Sequence, residues 1–132
     1  MSSPGPFGDA EALAVAILKT GLADATPVAT RAPAQNVPQY VRLSRAGGPA
    51  KAPFLDVPML IIECWATSEI AASDLAARAR AIMAGVNGKR VGNAAISEMI
   101  ETGGPAYFDD PENTNYHRYQ FVIQFAVRWY EP

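Results

Sequence analysis

The chain has 132 residues, enough for a single domain whose core needs neither a metal ion nor a disulfide bond. Its 11 basic and 13 acidic residues nearly balance, so the net charge gives no reason to expect binding to nucleic acids or to anionic membrane surfaces. The single Cys64 excludes an internal disulfide and is typical of a reducing compartment. With no apolar run of roughly 18 residues and no signal-peptide pattern, we expect a protein made and kept in a cytoplasm.

The beginning of the chain predicts a loose arm, a helix and a short extended segment. Residues 1–8 are rich in Pro, Gly and Ser and form the arm. Asp9 is a good N-cap for a helix over residues 10–20, with Gly21 as its C′ residue. Residues 26–32 are flanked by prolines, which favours an edge strand or an extended arm.

Two neighbouring strands follow, and they predict an antiparallel pair. Residues 39–45 alternate apolar and polar side chains, as a strand with one buried face does. Residues 56–66 are apolar on both faces, which is typical of a central strand, with Glu63 as the exception. Between them, residues 46–54 predict a long mobile loop, because this stretch has little to bury.

The second helix is predicted over residues 69–84. Ser68 is its N-cap and Gly85 its end, and a wide apolar stripe rich in alanine would let it lie close against a sheet. Asp74 and Arg78 are four residues apart, which predicts an ion pair on the helix surface.

The end of the chain predicts a second antiparallel pair. Residues 94–102 alternate, and the Gly-Gly-Pro sequence at 103–105 is expected to end that strand. A polar, acidic loop over 106–117 leads to the longest strand, 118–130, whose odd positions are all apolar or aromatic. The whole chain, residues 1–132, therefore predicts one α+β domain: a two-layer sandwich with a mostly antiparallel or mixed sheet of four to five strands and both helices on one face.

No catalytic constellation emerges from the residues. Cys64 alternates with apolar residues in a strand and is expected to be a buried, inert thiol. The sole histidine, His117, lies near Asp109, Asp110 and Glu112, but the spacing is not that of an EF-hand and Pro111 interrupts it, so a solvated loop is preferred over a metal site. The glycine pairs match no phosphate-binding motif. We therefore expect no cofactor, no metal and no catalysis.

The order and spacing of several short motifs nevertheless resemble a known family. They are Pro38-Gln39-Tyr40-Val41-Arg42-Leu43-Ser44-Arg45-Ala46-Gly47-Gly48, Asp56-Val57-Pro58, Glu63-Cys64-Trp65-Ala66, Ala72-x-x-Leu75-Ala76-x-x-Ala79-Arg80, Gly103-Gly104-Pro105, Asp109-Asp110-Pro111 and Arg118-Tyr119-Gln120-Phe121. Together they resemble the tail terminator proteins of long-tailed bacteriophages, especially those that infect actinobacteria, and the resemblance extends over roughly residues 9–130. No single motif is specific; the resemblance depends on their order.

The resemblance implies a structural virion protein at the head-proximal end of the tail. A tail terminator forms a ring, expected to be hexameric, on the last ring of tail-tube protein, ends tube growth and presents a surface to the head-completion proteins. DNA passes through its lumen without sequence-specific binding, and no membrane is involved. Two alternatives stay open: a head-completion or neck adaptor, and a small cytoplasmic α+β enzyme or ligand-binding module.

Three surfaces are predicted as protein interfaces. The first is the segment 42–53, the second is the loop 107–116 with its exposed aromatics, and the third is the even face of the last strand, which is too regular and too mixed for a plain solvent-facing surface. In a ring, that third face could meet a neighbouring protomer or line the DNA passage. The candidate residues are Arg42, Arg45, Lys51, Phe54, Tyr107, Phe108, Tyr116, Gln120, Gln124 and Arg128.

Overall fold

The first helix begins at the predicted N-cap but ends later than predicted. In the computed structural model, which describes residues 7–51, 55–112 and 115–130, helix α1 spans Ala10–Leu22. The Asp9 side chain accepts a hydrogen bond from the Ala12 N–H, as expected of an N-cap. The predicted C′ role of Gly21 is wrong: the helix continues through the buried Leu22, and Ala23 takes the left-handed conformation. Most of the predicted arm 1–8 lies outside the described residues.

Gly21 has a packing role instead. A Cβ at this position would lie 2.5 Å from the Ile82 side chain on the second helix, α2, which spans Glu69–Ala84. The glycine therefore lets the two helices approach closely. Ser68 caps α2 through the Ala71 N–H, and Gly85 follows its last turn, both as predicted.

The first five strands are β1, Val28–Ala29; β2, Gln39–Arg45; β3, Ala50–Lys51; β4, Leu55–Asp56; and β5, Met59–Ala66. Strands β2 and β5 are antiparallel, with Leu43 opposite Ile62, so the predicted pair is confirmed. Strand β1 lies at the edge and runs parallel to β2. The predicted strand 56–66 is interrupted between Asp56 and Met59: Asp56 belongs to β4, which pairs antiparallel with β3, and β5 begins at Met59.

The remaining strands are β6, Arg90–Val91; β7, Ala94–Phe108; and β8, His117–Trp129. The β7–β8 pair is antiparallel, as predicted. Strand β8 is central: β5 pairs with its first half and β4 with its second half on one side, and β7 pairs along the other side. The described strands form one mixed sheet of eight, more than the four to five expected, because several two-residue strands have no periodicity to read.

The predicted end of β7 is wrong. The strand continues through Gly103, Gly104 and Pro105 to Phe108, so the loop shrinks to residues 109–116. Three register shifts along the β7–β8 pair absorb the extra residues, one of them between Gly103 and Ala106. Bulges of this kind add a residue and bend the strand without ending the pairing.

Both helices cover one face of the sheet, which confirms the two-layer α+β sandwich. Helix α2 packs on β5, β7 and β8, while α1 packs on α2, β1 and β2. The odd side chains of β8 point into this core; those at positions 121, 123, 125 and 127 are at most 1% exposed. The predicted Asp74–Arg78 pair is wrong: Arg78 instead contacts Asp24 at 3.1 Å and donates to the Leu22 carbonyl, which ties α2 to the end of α1.

Candidate protein interface

The face of the sheet opposite the helices, here called the open face, has no layer over it among the described residues. Its side chains include the predicted Gln120 and Gln124, which are half-buried, and the exposed Arg128. Register sets Gln120 opposite Glu63 and Gln124 opposite Met59. Gln124 also donates to the Val57 carbonyl at 3.2 Å. Gln124 is thus held by a specific partner, the Val57 carbonyl.

Glu63, the one carboxylate in the central strand, is the centre of a polar network on the open face. Its Oε1 atom accepts from Arg42 Nε at 2.9 Å and from the indole N–H of Trp65 at 3.1 Å. The Glu63 side chain is 14% exposed and that of Arg42 is 38% exposed. Arg42 therefore neutralises a largely buried carboxylate and is not simply a solvated charge.

A row of aromatic rings and one guanidinium crosses four strands at one end of the open face. Tyr40 stacks on Trp65 with ring centroids 5.7 Å apart. The Arg118 guanidinium lies over Trp65 at 5.0 Å and over Phe108 at 5.5 Å. Its Nε atom is buried and has no hydrogen-bond acceptor within the described part of the chain. Cation–π contacts stabilise such a row, and they fix the end of β7 in place.

Tyr116, a predicted interface residue, joins two loops at the same end. Its hydroxyl donates to the Val37 carbonyl at 2.6 Å and accepts from the Val37 N–H at 3.2 Å. The ring also packs edge-on against Tyr40. Tyr116 thus has a clear structural role, whatever it contacts outside the chain. The sequence alone did not predict this pair of hydrogen bonds, because Val37 and Tyr116 are 79 residues apart.

Arg45 organises the loop between β2 and β5. Its guanidinium donates twice to Asp56, at 2.9 and 3.0 Å, and donates to the carbonyls of Gly47 and Gly48. Asp56 is buried, at 2% exposure. Gly48 has φ +95°, and a Cβ there would collide with the Val57 carbonyl. The described part of this loop is therefore built around an ion pair, and the predicted Phe54 lies outside the described residues.

The predicted aromatic residues at the end of β7 are exposed on opposite faces of the sheet. Tyr107 is 39% exposed on the helix side, and Phe108 is 42% exposed on the open face. The Tyr107 hydroxyl is 2.9 Å from His117 Nδ1, and its ring packs edge-on against Tyr119. Tyr119 in turn donates to Glu69 at the start of α2.

The nine candidates among the described residues, all but Phe54, are distributed over the whole length of the sheet. Tyr107, Phe108 and Tyr116 lie at the end where β8 begins; Arg45, Lys51 and Arg128 lie at the end where β8 finishes. Gln120, Gln124 and Arg42 lie between the two ends, on the open face. The candidates therefore form three separate surfaces and no single pocket.

The described residues offer neither a metal site nor a reactive thiol. Those residues contain no group of three or more His, Cys, Asp or Glu side chains arranged to hold a metal ion. Burial raises the pKa of the Cys64 thiol to about 12, so this thiol stays protonated at neutral pH. None of the described helices is long and apolar enough to cross a membrane.

Comparison with known proteins identifies the fold. No family model matches the chain, and no curated protein matches it in sequence. Among solved structures, the chain is similar to one described as "Virion of native gene transfer agent (GTA) particle", with a TM-score of 0.60 and 16% sequence identity. The likeness covers 90% of this chain and 87% of that one. The chain therefore shares its fold with a chain of that particle.

Proposed function

We propose that the chain is a structural virion protein and, more specifically, a tail terminator of a long-tailed phage or related particle. The observation that carries this proposal is the shared fold with a chain of a gene transfer agent virion, which extends over nine-tenths of this sequence. At 16% identity the likeness concerns the fold, so the role of the chain is our inference from it. The motif order that resembles tail terminators is a separate argument for the same role.

In this role the chain forms a ring, expected to be hexameric, at the head-proximal end of the tail. The ring stops addition of tail-tube protein on one side and binds a head-completion or connector protein on the other. DNA passes through the lumen. The rigid eight-stranded sheet and the exposed side chains at both of its ends suit a protomer that must contact several neighbours at once.

Tube capping is the direct test of this function. Purified chain added to polymerising tail-tube protein should stop elongation and appear in negative-stain images as a ring at one end of each tube. Tubes that grow to the same lengths with and without the chain, and carry no ring, would exclude a terminator role. A protein of the same size with an unrelated fold serves as the control for non-specific effects on polymerisation.

A head-completion adaptor is the second candidate. The same observation supports it equally, because the similar structure is described as a virion as a whole. An adaptor would bind the portal side of a filled head and leave free tube ends untouched. Pull-down of the chain with tail-less heads and, separately, with headless tubes distinguishes the two roles.

A further inference from the structure

The outer edge of β7 is closed along its first half and unpaired along its second half. Strand β6 pairs with the first two residues of β7. The Ile96 N–H then donates to the Lys89 carbonyl at 2.9 Å, and the Met99 N–H donates to the Asn87 side chain at 2.8 Å. From residue 100 to residue 108, no described group outside β8 bonds to the backbone. These residues, here called the free edge, keep backbone groups of the kind that pair with another chain.

The opposite edge of the sheet is closed by the protein's own groups. Strand β1 pairs with β2, and the Val41 N–H donates to the Pro27 carbonyl at 2.9 Å. Farther along β2, the Arg45 N–H donates to the Glu11 carboxylate at 2.8 Å. The other outer strands, β1 and β3, are two residues long each. Among the described strands, the free edge is therefore the longest stretch on which a further strand could be added.

The register shows that Glu101 turns its backbone groups outward on the free edge. Along an antiparallel strand, residues that bond to the neighbouring strand alternate with residues whose N–H and C=O point away from it. The Met99 N–H points away from β8, since it donates to Asn87. The register between β7 and β8 is unbroken from Met99 to Glu101. The N–H and C=O of Glu101 therefore point outward as well.

Tyr107 turns its backbone groups outward for the same reason. On β8, the Phe125 N–H points away from β7 and donates to the Pro58 carbonyl. The odd-numbered residues of β8 therefore do not bond toward β7. Tyr107 lies opposite one of them, Tyr119. Glu101 and Tyr107 thus each offer one donor and one acceptor to a chain that lies alongside the free edge.

The free edge also carries three of the five large apolar side chains that are exposed among the described residues. Ile100 is 40% exposed, Tyr107 39% and Phe108 42%. Ile100 and Phe108 lie on the open face, because they are opposite Gln124 and Arg118 of β8, whereas Tyr107 lies on the helix side. Apolar side chains on both faces of one edge are suited to an added strand, whose own side chains also alternate between the two faces.

A groove runs beside the free edge on the helix side. It has a volume of about 580 Å³ and separates α2 from β7. Arg80 spans it and donates to Glu101 at 2.6 Å. The rest of its lining consists mostly of small side chains: Ser73, Ala77, Ala81, Ala84, Pro105 and Tyr119. A strand added at the free edge would direct every second side chain over this groove, and the small lining leaves room for a large one.

We propose that the free edge pairs with the same edge of a second copy of this chain, in antiparallel orientation. The register sets Glu101 of each copy opposite Tyr107 of the other, with the two-fold axis at Gly104. The outward donors and acceptors of both residues are then satisfied by each other. Ile100 of one copy meets Phe108 of the other on the open face. Tyr107 of each copy enters the groove of the other beside Arg80, so one edge supplies both the groove and the side chain that fills it.

The size of this contact predicts a reversible dimer. The free edge is about 30 Å long at roughly 3.3 Å per residue, and one helix plus one sheet is about 20 Å deep, so each copy would bury roughly 600 Å². The total of roughly 1,200 Å² is at the lower limit for specific interfaces. The carboxylates of Glu98 and Asp109 lie near the two ends of the paired stretch. Salt should therefore strengthen the dimer, because it screens their repulsion.

The contact is isologous and goes beyond the proposed function, since it joins two copies whether or not the chain caps a tail tube. Sedimentation velocity over a wide range of protein concentration should show a monomer–dimer equilibrium of the wild-type chain. Glu101→Pro removes an outward N–H that does not pair with β8, and it should weaken dimerisation by about tenfold or more. Glu101→Ala is the matched control: it also loses the ion pair with Arg80 but keeps the N–H, so it should dimerise like the wild type.

A disulfide trap tests the register without the proline variant. Ile100→Cys and Phe108→Cys chains are mixed in a glutathione redox buffer. The proposed register places the two new thiols opposite each other, where Cβ atoms are about 4.5–5.5 Å apart, within reach of a disulfide. In either variant alone, the two thiols of a dimer are roughly 25 Å apart at about 3.3 Å per residue. The mixture should therefore form a mixed disulfide dimer that neither variant forms by itself, and the buried Cys64 should stay reduced.

Three results would overturn the edge contact. The first is a wild-type chain that stays monomeric at every concentration while the mixture forms no disulfide. The second is a dimer that Glu101→Pro leaves as tight as the wild type. The third is a mixed disulfide no more abundant than the disulfides of each variant alone. A hexamer without the mixed disulfide also overturns edge pairing but supports the proposed ring, so the two proposals fail separately.

Discussion

The two faces of the sheet use the same strands for different purposes. On the helix-covered face, Phe121, Phe125 and Ile123 of β8 are at most 1% exposed and belong to the hydrophobic core. On the open face, the alternate residues of the same strand are half-buried, and Gln124 bonds to a loop carbonyl. The covered face is therefore a source of stability, and the open face carries half-buried polar side chains, of which Gln124 is held by a hydrogen bond. A sheet face without a covering layer can therefore carry half-buried, hydrogen-bonded side chains and need not be an ordinary solvent-exposed surface.

The largest effect should come from the covered face. Phe125→Ala removes a fully buried ring, and we expect a loss of about 3–5 kcal/mol in the free energy of unfolding, because a cavity is left beside α2. Val122→Ala on the open face of the same strand is the matched control and should cost about 1 kcal/mol or less. Urea denaturation of both variants makes the comparison. Equal losses would mean that the open face is packed as tightly as the core.

A smaller loss is expected from the ion pair that orders the loop before β5. Arg45→Ala leaves Asp56 buried without its cation and should cost about 2–3 kcal/mol, less than for a fully buried pair because Arg45 is 32% exposed. The double variant Arg45→Ala with Asp56→Ala should be more stable than Arg45→Ala alone, since the orphaned charge is gone. A double variant that loses at least as much as the single one would contradict this account.

The covered face should also show a pH dependence of its own. Burial raises the pKa of Cys64 to about 12 from its usual 9.0, so the folded state keeps a proton that the unfolded state loses. Stability from this group is complete below pH 9 and falls as pH rises toward 12. At pH 10 the loss should be on the order of 1 kcal/mol. Cys64→Ala should lack this component, and the difference between the two unfolding curves measures it; parallel curves would show that the thiol is not buried in solution.

Features that depend on neighbouring residues could be predicted from the sequence, whereas features that depend on contacts between distant residues could not. Periodicity of two gave the covered face of β8, because burial repeats along one strand. It could not give the extension of β7 past Gly103, since that depends on pairing with β8 residues such as Val122 across bulges. Glu63 was recognised as the polar exception in a central strand. That Arg42 and Trp65 donate hydrogen bonds to its carboxylate could be seen only once the sheet register was known. The loop partners of Arg45 and Tyr116 were likewise invisible to local patterns.

The smallest effect on stability, and the one that bears most on assembly, is expected at Arg128 on the open face. This side chain is exposed near the end of β8, opposite Leu55 on β4 and Ala95 on β7. Arg128→Glu should change the free energy of unfolding by no more than about 0.5 kcal/mol, because exposed substitutions rarely cost more. It should nevertheless impair ring assembly or control of tail length, if the open face meets a neighbouring protomer or the lumen.

Arg128→Lys is the matched variant, since it keeps the charge and the long side chain and should assemble normally. Both variants are compared by urea denaturation and by measuring tube lengths in the capping reaction. Normal rings and normal tube lengths with Arg128→Glu would remove Arg128 and the surface around it from the assembly contacts. Impaired assembly at unchanged stability would separate the two faces by function as clearly as burial separates them by structure.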